Sequence, residues 1–184
     1  MISDLKPYSS ALHEGKTLLY PADTIWGLGC DATNQEAVNN LFKLKNRSLD
    51  KPLIALVDSV EMLSKYVAFL PKNITELLQS DHPTTLVYPK GKGLANGVIS
   101  QNGSVAIRIP KPCFALDLIT AFGKPIVSTS ANLSGAPIPA TYSEIAQHIL
   151  VHVDEIVPLE KDRIASVPSR VLQLMSDGTV KQLR

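Results

Sequence analysis

The chain has 184 residues, 45% of them apolar and 19% charged, with a formal net charge of +1. That length suits one domain with a full-sized core, and the near-neutral balance excludes a nucleic-acid binder working by bulk charge, leaving only a local basic patch for any RNA contact. No apolar run approaches the roughly 20 residues that span a bilayer, residues 1–12 lack a basic-then-apolar export pattern, and Cys30 and Cys113 are isolated, so a cytoplasmic setting without disulfides or membrane contact is expected.

Strand-like and helix-like patterns alternate along the chain. Residues 17–20 read as a short strand stopped by Pro21. The following stretch carries Asp23-Thr24 and then Gly27 and Gly29, two apart, where the backbone can approach something closely. It reads either as a turn in which Asp23 bonds its own backbone or as a loop in which Thr24 offers a hydroxyl to a ligand. A third glycine and an immediate helix are missing, which excludes a dinucleotide fingerprint. Residues 35–45 predict a helix, with Ala37, Leu41 and Leu44 on one face, Asn34 or Thr33 as cap and Glu36 in the first turn.

Residues 53–57 read as a strand, and 59–66 and 71–79 as helices, the latter with Pro71 at its first position. Residues 84–88 are a strand ended by Pro89, followed by a glycine-rich loop over 90–103 that is a candidate lid. Residues 105–109 form a strand, 112–122 a helix closed by Gly123, 126–127 a short buried strand, and 142–150 a helix capped by Thr141 or Ser143. Residues 155–159 are a strand, and strands at 170–174 and 179–183 flank a Ser176-Asp177-Gly178 hairpin turn. Both hairpins and crossovers occur, which predicts a single α/β (α+β) domain with a mixed sheet.

Two stretches stand out chemically. Lys45, Arg47 and Lys51 place three cations within seven residues, past a helix and before Pro52-Leu53. The helix dipole accounts for cations near its end, but Lys51 lies beyond it, at the mouth of an apolar strand, where it suits an anion. Residues 128–135 (Ser-Thr-Ser-Ala-Asn-Leu-Ser-Gly) offer small hydroxyls, an amide and backbone N–H groups after a strand. They read either as a phosphate nest or as ordinary capping and turn chemistry. Arg108 lies within an otherwise apolar strand, which reads either as an edge-strand position or a salt bridge to an acid, or as a guanidinium that clamps a carboxylate or phosphate in a cleft. His148 and His152 have the spacing of helical metal ligands but no third ligand nearby. No nucleophile elbow or Walker loop is present.

In order and spacing, Tyr20-Pro21-x-Asp23-Thr24-x-x-Gly27-Leu28-Gly29, Lys45-x-Arg47 with Lys51-Pro52-Leu53, Ala106-x-Arg108-x-Pro110, residues 128–135, and Pro168-Ser169 resemble the motifs of the YrdC-like (TsaC) threonylcarbamoyl-AMP synthases. The resemblance runs from about Tyr8 to the C-terminus and is to the short form, so residues 1–184 are expected to be one YrdC-like domain. It implies a twisted open mixed sheet with helices around a positively lined concave cavity. It also implies a nucleotidyltransferase that converts L-threonine, bicarbonate and ATP, with Mg2+ on the triphosphate and no prosthetic group, into threonylcarbamoyl-AMP and pyrophosphate. That product would pass to a separate tRNA-modifying transferase machinery, which forms threonylcarbamoyl-adenosine beside the anticodon.

Carried over by motif, Thr24, Arg108, Ser128 and Ser169 would bind threonine, with Arg108 on its carboxylate. Arg47, Lys51, Ser104, Ser130, Asn132 and Arg184 would bind ATP. Lys45, Arg47, Lys51, Ser130 and Asn132 would form the catalytic set. Ala22, Trp26, Leu56, Ile138 and Arg170 depart from the residues many relatives carry at those positions. Two other readings use the same residues: an RNA-binding module, with weak tRNA or double-stranded RNA contact in the cavity, and a paralogue that makes another carbamoyl or acyl adenylate. The first predicts steep salt dependence without a need for threonine.

Overall fold

The computed structural model describes residues 4–71, 74–78, 82–175 and 179–183. Its strands are β1 (Leu18–Pro21), β2 (Trp26–Gly29), β3 (Ile54–Leu56), β4 (Thr84–Tyr88), β5 (Val105–Arg108), β6 (Ile126–Ser130), β7 (Glu155–Ile156), β8 (Arg170–Leu174) and β9 (Val180–Gln182). They form one mixed sheet in the order β7-β1-β2-β6-β3-β5-β4-β8-β9. Three pairings are parallel (β1 with β7, β3 with β5, β4 with β8) and the others antiparallel. The helices are α1 (Lys6–His13), α2 (Gln35–Leu44), α3 (Val60–Tyr66), α4 (Ile74–Leu78), α5 (Phe114–Phe122) and α6 (Gln147–His152), with a 3-10 turn at Tyr142–Glu144. The mixed α/β sheet expected from the sequence is what forms.

Local chemistry explains the main helices. Asn34 caps α2 by accepting from Glu36 N and Ala37 N at 3.0 and 3.1 Å, and Ala37, Val38, Leu41, Phe42 and Leu44 are buried. Ser59 caps α3 through Met62 N at 3.1 Å. Gly123 ends α5 in a left-handed conformation (φ 76°) that favours glycine, and its N–H donates to Ile119 O at 2.8 Å. Helix α1, which sequence patterning left unassigned, packs on α5 through an edge contact between Tyr8 and Phe114.

Several boundaries differ from the sequence reading. Strand β2 occupies the stretch read as a turn or ligand loop. Its glycines serve packing: a Cβ at Gly29 would lie 2.2 Å from Val127 O and 2.8 Å from a Tyr20 ring carbon. Strand β6 runs on to Ser130 instead of ending at Val127, because Thr129 and Ser130 pair with Leu28 and Gly27. The helix expected over 142–150 is broken at extended Ile145 and Ala146, and the break turns Ile145 into the core. The strand expected over 155–159 stops early, before Pro158, which has no N–H to continue a ladder. Of the helix over 71–79, the described part is Ile74–Leu78. The turn at 176–178 lies outside the described residues.

The 90–103 loop, a candidate lid from sequence, is braced as a strut by hydrogen bonds. Lys92 N donates to Tyr66 O, Ala95 N to Ala32 O and Leu53 N to Gly97 O, all within 2.9 Å. Asn96 N donates to the Gln35 side chain at 2.8 Å. These bonds tie the loop to α2, to the end of α3 and to the residue before β3.

Candidate functional site

Register builds the site floor. Ile54 pairs with both Ser128 and Ala106, and Leu56 with both Ile126 and Arg108. Residues directly opposite in paired strands share a face, so Ser128, Ile54, Leu56 and Arg108 lie on one side of β6, β3 and β5. That face floors a cavity of about 170 Å3. Its walls include Thr24 from the β1–β2 turn, Arg47 beyond α2, Ser130 at the end of β6, and Ser169 just before β8. Ala22, Ile25, Pro52, Ile138 and Pro168 supply apolar wall. Six residues named from sequence thus converge: Thr24, Arg47, Arg108, Ser128, Ser130 and Ser169.

Arg108 has the partner acid that an arginine in an apolar strand requires. Its Nη1 donates to both carboxylate oxygens of Asp23 at 2.7 Å, with the two side chains 5% and 6% exposed. Asp23 also accepts from Lys111 N at 3.1 Å. Local sequence offers Asp23 a turn role and does not reveal this partner. The signal that could have found it was the buried arginine itself, which demands an acid. Ser169 is buried, with its hydroxyl 2.8 Å from that of Thr85. Another missed contact is Arg163, whose Nη2 donates to Thr24 O at 3.1 Å. Ser166 N donates to the same oxygen at 2.8 Å. The 163–166 segment thereby fixes the backbone carrying Thr24.

Lys45 is turned into the fold. Only 1% exposed, it is not among the described residues lining the cavity. Its Nζ donates to the backbone carbonyls of Ser130 and Asn132, and its own carbonyl accepts from Ser134 N at 2.9 Å. Burial, and secondarily the neighbouring Arg47 charge, push its pKa down from 10.5 to about 7. Asn132 is likewise turned into its own loop. Its amide donates to Leu133 O and Ala136 O at 3.1 and 2.6 Å, while its Oδ1 accepts from the Ser130 hydroxyl. Lys45 and Asn132 therefore shape the lip that Ser130 presents.

Arg47 bonds backbone at the start of β3, with Nε on Lys51 O at 2.9 Å and Nη2 on Pro52 O at 3.2 Å. Lys51 is exposed and outside the cavity lining. The Ser104 hydroxyl pairs with that of Ser100 at 2.8 Å within the strut, also away from the cavity. Arg184 lies outside the described residues. His148 and His152 stack with ring centres 4.5 Å apart, and no group of three metal-ligating side chains occurs among the described residues.

A cavity lined by two arginines, five hydroxyl-bearing residues and apolar walls defines an α/β protein whose site has the chemistry to hold a small ligand bearing carboxylate or phosphate. The Sua5/YciO/YrdC family model, described as telomere recombination, matches residues 10–184, and the chain belongs to that family. A threonylcarbamoyl-AMP synthase of Pseudoalteromonas translucida is 36% identical over 154 residues, covering 79% of this chain and 82% of the relative. One of Photobacterium profundum is 29% identical over 187 residues, covering 98% and 100%. The crystal structure of P. abyssi Sua5 complexed with L-threonine superposes with a TM-score of 0.86 at 29% identity. That match takes in 98% of this chain but 53% of the other, so the chain spans about half the length of that relative.

Proposed function

We propose that this chain is a threonylcarbamoyl-AMP synthase acting in the cytoplasm on L-threonine, bicarbonate and ATP, in the first step of tRNA threonylcarbamoyl-adenosine formation. The observation that carries the reading is the convergence of Thr24, Arg47, Arg108, Ser128, Ser130 and Ser169 on one cavity. Family membership and the threonine-bound relative support it. Among the described residues, no helix is long and apolar enough to cross a membrane.

In this reaction the amine of threonine combines with bicarbonate, losing water, to give a carbamate. A carbamate oxygen attacks the α-phosphorus of ATP, forming the new P–O bond while the bond to pyrophosphate breaks. The participants are anions, so the protein's task is to hold them together and neutralise charge as pyrophosphate leaves. Arg108 would take the threonine carboxylate, with Thr24, Ser128 and Ser169 around the rest of the amino acid. Arg47 and Ser130 would face the phosphates. Lys45 and Asn132 would act through the loop they hold, Lys51 would add charge at the rim, and Ser104 and Arg184 are proposed at the nucleotide's far end. Mg2+ would arrive on the triphosphate, whose oxygens would hold it, since the described lining residues include no carboxylate. The product is a reactive mixed anhydride, to be consumed by a tRNA-modifying transferase.

Pyrophosphate release tests the proposal. Release should require L-threonine and bicarbonate, with serine and alanine as poor substitutes. Release indifferent to threonine would assign the cavity another acceptor. No release from the folded protein would favour RNA binding, next tested by titration against salt.

A further inference from the structure

The geometry points to Asp23 as the positioning residue that aims Arg108 at the substrate carboxylate, an inference that rests on the threonine reading above. Both bonds between the two residues fall on Nη1 of Arg108. Among the described residues no bond engages its Nη2 or Nε, and Arg108 lines the cavity. Nη2 and Nε form the guanidinium edge that receives a carboxylate through two parallel bonds. Asp23 thus occupies one corner of the fork and leaves the bidentate edge for a ligand.

Position along the chain strengthens the case. Asp23 sits in the β1–β2 turn beside Thr24, while Arg108 ends β5, three places from β2 and four from β1 in the sheet order. One carboxylate therefore fixes the turn carrying Thr24 against the strand carrying Arg108, and Lys111 N supplies a third bond to it. Two groups proposed on the same small substrate are held at a set separation by a residue that need not touch it. A buried ion pair kept only for stability is a poor choice, because apolar replacements of such pairs are often neutral or stabilising.

The test compares Asp23→Asn, Asp23→Glu and Arg108→Lys for threonine-dependent pyrophosphate release and for melting temperature. Asp23→Asn keeps the shape but removes the charge. It should raise the threonine KM roughly tenfold to a hundredfold, a cost in the range of a small misplacement of a binding group, while the ATP KM stays within about twofold. Arg108→Lys checks the underlying reading separately: if its threonine KM is normal, Arg108 is not the carboxylate clamp and the inference falls with it. If Arg108→Lys raises the threonine KM but Asp23→Asn only lowers the melting temperature, Asp23 is structural and the inference is overturned. An equal rise in both KM values in Asp23→Asn would overturn it too. Should Asp23→Asn fail to fold, Asp23→Glu decides. It keeps the charge pair but moves the carboxylate by about 1.5 Å, one carbon–carbon bond. A selective rise in threonine KM supports positioning, and an unchanged one refutes it.

Discussion

The ammonium of Lys45 donates to the carbonyl oxygen of Asn132 at 2.6 Å, tying the end of α2 to the loop after β6. The same nitrogen holds the carbonyl of Ser130. This cation, close to Arg47 in sequence, is the post around which the Ser130–Asn132 loop is wrapped. Removing it should damage geometry more than charge.

Lys45→Met should therefore leave two buried carbonyls without their donor. The expected destabilisation is about 1–3 kcal/mol for each group left unsatisfied. The expected loss of turnover is about 100-fold, as the Ser130 lip shifts. Denaturant melts and steady-state rates check both. A variant that keeps its stability and loses only ATP affinity would restore Lys45 to the ligand set.

The depressed pKa of Lys45 gives stability a pH signature. Its folded-state value is lowered to about 7 from 10.5. Below about 7 the group is protonated in both states, and the penalty for burying its charge is present in full. Between about 7 and 10.5 the unfolded chain binds a proton that the folded chain does not, so this group's contribution to stability rises with pH. The slope is at most about 1.4 kcal/mol per pH unit for one proton. Unfolding free energies of wild type and Lys45→Met across this window should diverge in favour of wild type as pH rises. Parallel curves would contradict the assignment.

Arg47→Ala should lower synthesis roughly 100- to 1,000-fold, the range for removing one donor to developing charge. Arg47 is half-buried and, among the described residues, its hydrogen bonds go to backbone carbonyls, so folding should survive. Normal turnover in a folded Arg47→Ala protein would refute its role on the phosphates.

Arg108→Ala should do two things at once. It strips a buried carboxylate of its partner, a loss of about 3–5 kcal/mol, and it raises the threonine requirement. Working below the lowered melting temperature separates the effects. A changed ATP requirement with threonine use untouched would place Arg108 elsewhere.

Gly27 and Gly29 make a paired test of the packing reading of β2. A Cβ at Gly27 meets the Ser128 hydroxyl and Tyr20 ring at 3.3 Å, whereas one at Gly29 would meet Val127 O at 2.2 Å. Gly29→Ala should thus cost more than the about 1–3 kcal/mol typical of overpacking, and Gly27→Ala less. Thermal melts decide, and the reverse order would contradict the packing reading.

Much of this architecture was legible because local rules are strong where they apply. Asn34, Ser59 and Gly123 mark helix ends by hydrogen bonding and backbone conformation, and Arg108 announces a charge partner by its apolar setting. What stayed hidden depends on distant partners. Strand β2 carries two glycines and few strand formers, and only its packing against Tyr20 and Val127 explains them. Ser128, Thr129 and Ser130 have turn chemistry yet belong to β6, because pairing with β2 and β3 overrides local preference. Lys45 looked like a helix-end cation because nothing local reveals two carbonyls more than eighty residues on. The role of Asp23 is hidden for the same reason: its partner is 85 residues away.

The most direct test of the central claim is to follow the carbon of labelled bicarbonate into a nucleotide product in the presence of ATP, Mg2+ and L-threonine. A labelled adenylate that forms only with threonine, and releases one pyrophosphate for each carbon incorporated, is the predicted result. Pyrophosphate released without bicarbonate carbon entering an adenylate would contradict the account.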